Sequence, residues 1–373
     1  MKIHNVFISK DALLHNFHLF KSYVHHSTKI ACVVKADAYG HGIENIVPIL
    51  DPHADMFQVD DVNELIKIRK YTSKKVLVLG FVSVEDIEEI VKNNGTLGIF
   101  SKEQIIALEQ ILEKHDNSIN VHLAVDSLMG REGFVFESIE LDEILDIIAH
   151  SKFIKLEGVY SHFSNADDLT LHPEHTQKQV NLYEKFLEKI RKYGFKHITR
   201  HISSTSGTII YDKNFGKNDI VRIGAGLYGI YPSEDIKSFL HQKNLYLKPV
   251  LSWKTFIAQI KTVPPRTPIG YNMTYTTNRF TKIAVIPVGY SDGYDRRLSN
   301  KGYVLIHGKK APVIGRISMN MLTVDITDIH SPTPSIEDEV VLIGEQENQK
   351  ITASELANLC GTIEYEILSR IKR

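Results

Sequence analysis

From residue 29 to about residue 230 the chain alternates short β-branched and aliphatic runs with longer amphipathic ones. Eight short runs read as strands: KIACVVK (29–35), MFQVD (56–60), KVLVLG (75–80), LGIF (97–100), NVHLAVD (120–126), LEGVYSHF (156–163), HITRHIS (197–203) and DIVRIGAGLYG (219–229). The segments between them carry apolar residues at helical spacing. DVNELIKIRKYT sets Val62, Leu65, Ile66 and Ile68 on roughly one face, and SIELDEILDIIAH and LYEKFLEKIRKYG repeat the pattern, the last ending at Gly194. Eight strands with intervening helices in some two hundred residues predict an α/β fold, a (β/α)8 TIM-like barrel. A doubly wound open sheet is the alternative.

After about residue 235 the texture changes to short alternating strands separated by turn residues, among them NLYLKPVLSWKTFIAQIKTV, KIAVIPVG, GYVLIHGKKAPVIGRI, MLTVDITD and EVVLIGEQ. NKGYV and HGKKAP read as hairpin connections. One helix, TASELANLCG, is expected near the end, with Thr352 and Glu355 in capping-box positions. The expected domains are a barrel over residues 8–235 and an all-β domain over 236–373, to which residues 1–7 add a strand. SKDALLHNFHLFKSYV then opens the first helix, with Ser9 at its N-cap.

Composition narrows the class of protein. The 44 basic and 45 acidic residues leave a formal net charge of -1, which gives no electrostatic reason to expect nucleic acid or a membrane surface as partner. The two cysteines, Cys32 and Cys360, lie far apart in apolar surroundings and read as reduced, buried thiols. The first residues lack the long apolar segment of a signal peptide, so the expected compartment is the cytoplasm. The eighteen histidines include no His-Glu-x-x-His, the chain has no Cys-x-x-Cys, and no metal is expected.

Lys35 ends the first strand of the predicted barrel. Carboxyl ends of barrel strands face the catalytic mouth, where a lysine amine can attack a carbonyl. Tyr39 lies four residues on, beside the turn Gly40-His41-Gly42. At the last strand, VRIGAGLYG supplies Arg222 and then Gly224, Ala225 and Gly226, small residues that let backbone N–H groups approach an anion. HISSTSG adds hydroxyls at Ser204 and Thr205 from the seventh strand. A lysine on strand one with a phosphate cradle on strands seven and eight points to pyridoxal 5'-phosphate as cofactor.

These motifs resemble the alanine racemase family over nearly the whole chain. VVKADAYGHG is similar to its cofactor-lysine motif. YSHFSNAD (160–167), VRIGAGLYG (221–229), IGYNMTY (269–275), VGYSDGYDRRLSN (288–300), GRISMN (315–320) and IEYEI (363–367) resemble its other blocks in the same order. The resemblance implies interconversion of L- and D-alanine, with D-alanine supplied to peptidoglycan, by a homodimer whose active sites draw on both chains. It implies that Lys35 binds the cofactor covalently, and that Tyr39, Ser204, Thr205, Gly224, Ala225 and Tyr365 hold its phosphate. His162 would lie beside the pyridine ring and Arg222 on its nitrogen. Lys35 and Tyr271, the latter from the partner chain, would be the two bases. Arg131, Met319 and Tyr290 would surround the substrate carboxylate and entry path, and Asp167, Arg296 and Arg316 the access corridor.

Four positions depart from the family pattern. Ala124 stands where a carbamate-bearing lysine is frequent, so Arg131 is expected to take a bound chloride or a nearby carboxylate instead. Ser204 replaces a frequent asparagine and Thr205 a serine, both still able to donate hydrogen bonds. Asn320 replaces an aspartate, which predicts altered affinity or specificity. A racemase of broader specificity, acting for example on serine, is the nearest alternative. A barrel-fold decarboxylase would need a catalytic cysteine block that LANLCGTI does not match. A non-catalytic cofactor-binding barrel would lack the second domain.

Overall fold

The computed structural model describes residues 3–168, 173–211 and 219–373. The chain forms two compact units. One comprises Asp11–Ala38 and Gly42–Lys248, the other Met1–Lys10, Tyr39–His41 and Pro249–Arg373. Strand β1 (Asn5–Ile8) belongs to the second; residues 1 and 2 of the expected N-terminal strand lie outside the described residues.

The first unit holds β2 (Lys29–Val33), β3 (Met56–Val59), β4 (Val76–Val78), β5 (Thr96–Ile99), β6 (Ile119–Ala124), β7 (Ile154–Tyr160), β8 (Thr199–His201) and β9 (Ile220–Ile223). They pair in parallel in the order β8-β7-β6-β5-β4-β3-β2-β9. Backbone bonds from Asp219 N to Arg200 O (2.9 Å) and from Arg222 N to Ser203 O (3.0 Å) bring β9 to β8, so the sheet is a nearly closed eight-stranded barrel. Ala31, Met56, Leu77 and Ile220, one from each of four neighbouring strands, pack together with Leu79 against them. The connecting helices start where capping chemistry places them. Asp61 accepts Glu64 N ahead of Val62–Ile68, Ser138 accepts Leu141 N ahead of Ile139–His150, and Ser101 makes a full capping box with Gln104.

The last two barrel strands are shorter than the sequence pattern predicts. β8 covers only Thr199–His201, and β9 stops at Ile223 because Gly224 turns out of extended geometry (φ -115°, ψ -88°) into a 3-10 turn over Ala225–Tyr228. Residues 224–229 are therefore a turn at the strand's carboxyl end. The helix Glu234–Gln242, capped by Ser233, lies within the barrel unit.

The second unit holds β10 (Leu251–Phe256), β11 (Gln259–Val263), β12 (Pro268–Ile269), β13 (Tyr275–Thr276), β14 (Thr281–Ile286), β15 (Tyr303–Ile306), β16 (Lys309–Pro312), β17 (Leu322–Asp325), β18 (Glu339–Gln346) and β19 (Gln349–Ile351). One antiparallel sheet runs β1-β10-β18-β15-β16, with β19 on β18, and another β11-β14-β17. β1 joins through Val6 opposite the buried Trp253. HGKKAP is a hairpin connection, with His307 and Gly308 both at positive φ (50° and 65°) between β15 and β16. NKGYV is not: Lys301 N and Gly302 N both bond to Leu298 O, a turn that leads from the 3-10 segment Arg296–Leu298 into β15. Thr352 and Glu355 form the capping box of Ala353–Cys360. Cys32 and Cys360 are buried free thiols.

The barrel's packing makes a direct prediction. Leu77 is fully buried, so Leu77→Ala should cost about 2–5 kcal/mol, read as a lower urea midpoint with an unchanged slope.

Candidate active site at the carboxyl ends of the barrel strands

β2 delivers Lys35 two residues past its end, and the backbone then does something costly. Ala36, Asp37, Ala38 and Tyr39 all take left-handed dihedrals (φ 51°, 51°, 56° and 55°). For residues with a Cβ this costs about 1–2 kcal/mol each, and specific bonds hold the turn. Ala38 N donates to Val34 O and Gly42 N to Asp37 O, both at 2.8 Å. The Asp37 carboxylate accepts Ile43 N (3.0 Å) and Lys67 Nζ (2.7 Å). Glu64 accepts Asp37 N with one oxygen and Asp60 N with the other, each at 2.9 Å. Burial pushes the Glu64 carboxyl up to about 7. Lys35 Nζ itself donates to Asp60 Oδ1 at 3.0 Å.

Arg222 rises from β9 and is buried. Burial pushes its guanidinium down to about 10, still charged at neutral pH. Nη1 donates to His201 Nδ1 (3.0 Å) and His201 O (2.8 Å). Nη2 shares its hydrogens among Ser161 O (2.7 Å), His162 Nδ1 (3.1 Å) and Ile202 O (3.1 Å). A guanidinium only donates, so both Nδ1 atoms must be acceptors and each of these imidazoles carries its proton on Nε2. His201 Nε2 then donates to His122 Nδ1 at 2.7 Å, which places the His122 proton on Nε2, 3.7 Å from Glu157. Burial lowers the proton affinity of all three imidazoles, and His162, also facing Arg222, Arg131 and Lys35, falls to about 3. The row Arg222–His201–His122–Glu157 is thus directional: a charge at one end, neutral rings between, and a carboxylate paired with Lys75 at the other.

Among the described residues, Nε is the one N–H of Arg222 with no acceptor. Close by, the Thr205 hydroxyl accepts Gly224 N (3.4 Å) and Gly226 N (3.3 Å), which leaves its own proton to donate outward. Only glycine fits at 226, where a Cβ would fall 2.4 Å from the Phe20 ring. Ser204 does not cap the helix Thr205–Ile210 with its side chain. This set of a lysine amine, a single available N–H on a buried arginine, two hydroxyls and a small-residue turn fits pyridoxal phosphate.

Arg131 reaches the same end of the barrel from the loop after β6. Asp126 pins that loop by accepting Met129 N (2.7 Å) and Gly130 N (3.1 Å). With Ala124 at the end of β6, the anion on Arg131 is Glu132, which accepts from both Nε and Nη2. That contact, ahead of the opposing effect of burial, raises the proton affinity of the guanidinium.

The second unit carries the remaining sequence-predicted residues. Tyr39 and Tyr365 meet with ring centroids 5.9 Å apart. Tyr271 is 64% exposed on a 3-10 turn that Gly270 enters at φ 72°, beside Arg316. Tyr290 N donates to Ser318 O and Ser291 N to Met319 O, which sets Tyr290 and Met319 side by side; both are exposed. Asn320 donates to the Ser291 hydroxyl at 2.7 Å. Arg296 and Arg316 line a pocket with Thr274, Arg297, Ser299 and Asn300, and Arg297 is tied to Asp295 and Glu366. Asp167, in the barrel unit, accepts the Ser233 hydroxyl at its carbonyl. Sequence reasoning did not single out Asp60, Glu132, His122 or His201. Asp60 carried a usable signal, an acidic residue at the carboxyl end of a predicted barrel strand.

Residues 8–232 match the family model "Alanine racemase, N-terminal domain", and residues 250–373 match "Alanine racemase, C-terminal domain". The chain belongs to the alanine racemase family of isomerases. Alanine racemase from Halothermothrix orenii is 38% identical over 369 residues, covering 98% of this chain and 94% of that protein. The crystal structure of alanine racemase from Bacillus anthracis with bound L-Ala-P superposes with a TM-score of 0.91 at 32% identity, covering 100% of this chain and 93% of that one. That of alanine racemase from Bartonella henselae, with covalently bound pyridoxal phosphate, gives 0.85 at 25% identity, covering 100% and 98%. Among the described residues no helix is long and apolar enough to cross a membrane.

The buried row has a pH signature. His122, then Lys75, holds the Glu157 carboxyl down to about 2 against an ordinary value of 4.5. A depressed carboxyl contributes stability above its unfolded value and loses it as pH falls through the folded one. The gap in thermal midpoint between wild type and Glu157→Gln should therefore be constant above about pH 5 and shrink from about 4.5 toward 2. A gap independent of pH would contradict the row as drawn.

Proposed function

We propose that this chain interconverts L-alanine and D-alanine on a covalently bound pyridoxal phosphate, by two bases on opposite faces of the substrate, and so supplies D-alanine for peptidoglycan. The observation that carries the reading is the convergence of Lys35, His162 and Arg222, with Arg222 Nε unspent, in a chain similar to alanine racemases from end to end.

The cofactor, when bound, acidifies the substrate Cα–H bond by withdrawing electrons from it. Lys35 holds it covalently. Ser204, Thr205, Tyr39, Tyr365 and the turn at Gly224 and Ala225 bind its phosphate, and His162 lies beside its ring. Arg222 would give its Nε hydrogen bond to the pyridine nitrogen and keep its proton, since a guanidinium is a donor too weakly acidic to transfer it. By keeping that proton, Arg222 would hold electron withdrawal from Cα to a moderate level, which favours return of the proton to Cα over side reactions.

Racemisation removes a proton from one face of Cα and returns one to the other. The Lys35 amine serves one face and the phenol of Tyr271 the other. Arg131 receives the substrate carboxylate on hydrogens that Glu132 does not occupy; Met319 and Tyr290 are assigned to substrate binding, and Asp167, Arg296 and Arg316 to the approach. Tyr271 comes from a second copy of the chain. In support, the phenol is exposed on its own protomer, and Met273, Met319 and Met321 of the same unit are exposed as well, apolar surface that a partner would cover.

Incubation with L-alanine should yield D-alanine, and with L-serine less D-serine. Lys35→Ala should abolish turnover. Tyr271→Phe should lower it by on the order of 10²–10⁴ while the cofactor absorbance persists. Absence of both D-amino acid and solvent deuterium at Cα from the wild-type protein would reject the reading.

A further inference from the structure

Lys35, Arg131 and Arg222 gather at one end of the barrel, and each needs a partner. Arg222 spends its Nη hydrogens on carbonyls and imidazoles, and Arg131 is forked by Glu132. Lys35 Nζ has Asp60, 3.0 Å away. The other carboxylates nearby are committed. Asp37 takes Ile43 N and Lys67, Asp61 caps a helix through Glu64 N, and Glu64 spans two backbone amides.

An exposed lysine–aspartate pair is usually loose. Asp60 is seated more firmly than that. Its N–H is held by Glu64 Oε2 and its C=O accepts Gly80 N, both at 2.9 Å. Gly80 presses against it so closely that a Cβ there would lie 2.6 Å from Asp60 O and 3.0 Å from both Cγ and Oδ2. Its backbone is therefore fixed on two sides, and one carboxylate oxygen meets Nζ.

We infer that Asp60 is a positioning residue for Lys35: its carboxylate sets the direction of the Nζ amine and is the counter-charge on which the ammonium rests once Lys35 has taken a proton from Cα. The inference rests on the reading of Lys35 as one of two bases. Asp60 acts through Lys35 and therefore on one face of the reaction only.

That asymmetry is testable with Asp60→Asn, Asp60→Glu and Gly80→Ala, the last displacing Asp60 without changing it. The α-deuterium isotope effect on kcat/KM is measured for pure D- and L-alanine. Asp60→Asn should slow proton transfer at Lys35 on the order of tenfold to a hundredfold. The isotope effect should rise for the enantiomer whose proton Lys35 takes and not for the other, with Asp60→Glu recovering part of the rate. A second readout needs no turnover. Reductive ¹³C-methylation of the cofactor-free chain labels Lys35, assigned by loss of its signal in Lys35→Ala, and that resonance should move toward the free-lysine position in Asp60→Asn and Gly80→Ala. Isotope effects that change equally for both enantiomers, or a Lys35 resonance unmoved by either variant, overturn the role of Asp60. A wild-type chain that binds pyridoxal phosphate and racemises nothing overturns the functional reading itself, and the proton-holding role with it.

Discussion

A buried guanidinium is expensive unless every N–H it turns inward finds an acceptor, and Arg222 organises its end of the barrel around that requirement. Its Nη hydrogens take carbonyls of Ser161, His201 and Ile202, three residues just beyond or at the ends of β7 and β8. These bonds fix the carboxyl ends of the last strands relative to one another, where the ladder itself is short. They also dictate protonation. Because arginine cannot accept, His201 and His162 are forced into one tautomer, and the constraint passes through His122 to Glu157. What remains is one N–H at Nε. A hydrogen-bond donor that holds its proton is the distinctive chemical property of the site, and it follows from the basicity of a guanidinium and from donor counting.

Around that fixed centre the other charges are arranged by separate devices. Lys35 is aimed by a left-handed turn whose cost is offset by Asp37 and Glu64, and Arg131 is balanced by its own neighbour in sequence. Alanine at position 124 therefore does not strand Arg131, since Glu132 supplies the carboxylate. Ser204 and Thr205 carry hydroxyls able to donate to the proposed phosphate. Asn320 is turned toward Ser291, so its amide is engaged within its own unit.

The barrel was legible because eight apolar runs and the helices between them carry their periodicities openly, and caps such as Asp61, Ser138 and Thr352 mark the helix starts. Lys35, Arg222 and Tyr271 were singled out through the resemblance of their surrounding motifs, and their roles remain proposals. The partners of the site residues were hidden. His122 and His201 are 79 positions apart and meet only across the barrel, so no local pattern joins them. Asp60 becomes significant only when β2 and β3 are neighbours, and the left-handed turn at Ala36–Tyr39 contains no glycine to announce it. The overlong ninth strand and the misread NKGYV turn share one cause: apolar runs persist through segments where glycine geometry and carbonyl bonding have already ended the strand.

The account holds that one chain provides Lys35 and Arg222 and a second provides Tyr271. Mixing two inactive variants tests this most directly. Lys35→Ala and Tyr271→Phe are purified separately, their subunits exchanged, and D-alanine formation followed. A mixed dimer contains one site with both Lys35 and Tyr271 intact, so activity should appear on mixing and approach about half the wild-type value per mixed dimer. Mixed dimers shown to form, yet as inactive as either parent, would contradict a site shared between two chains.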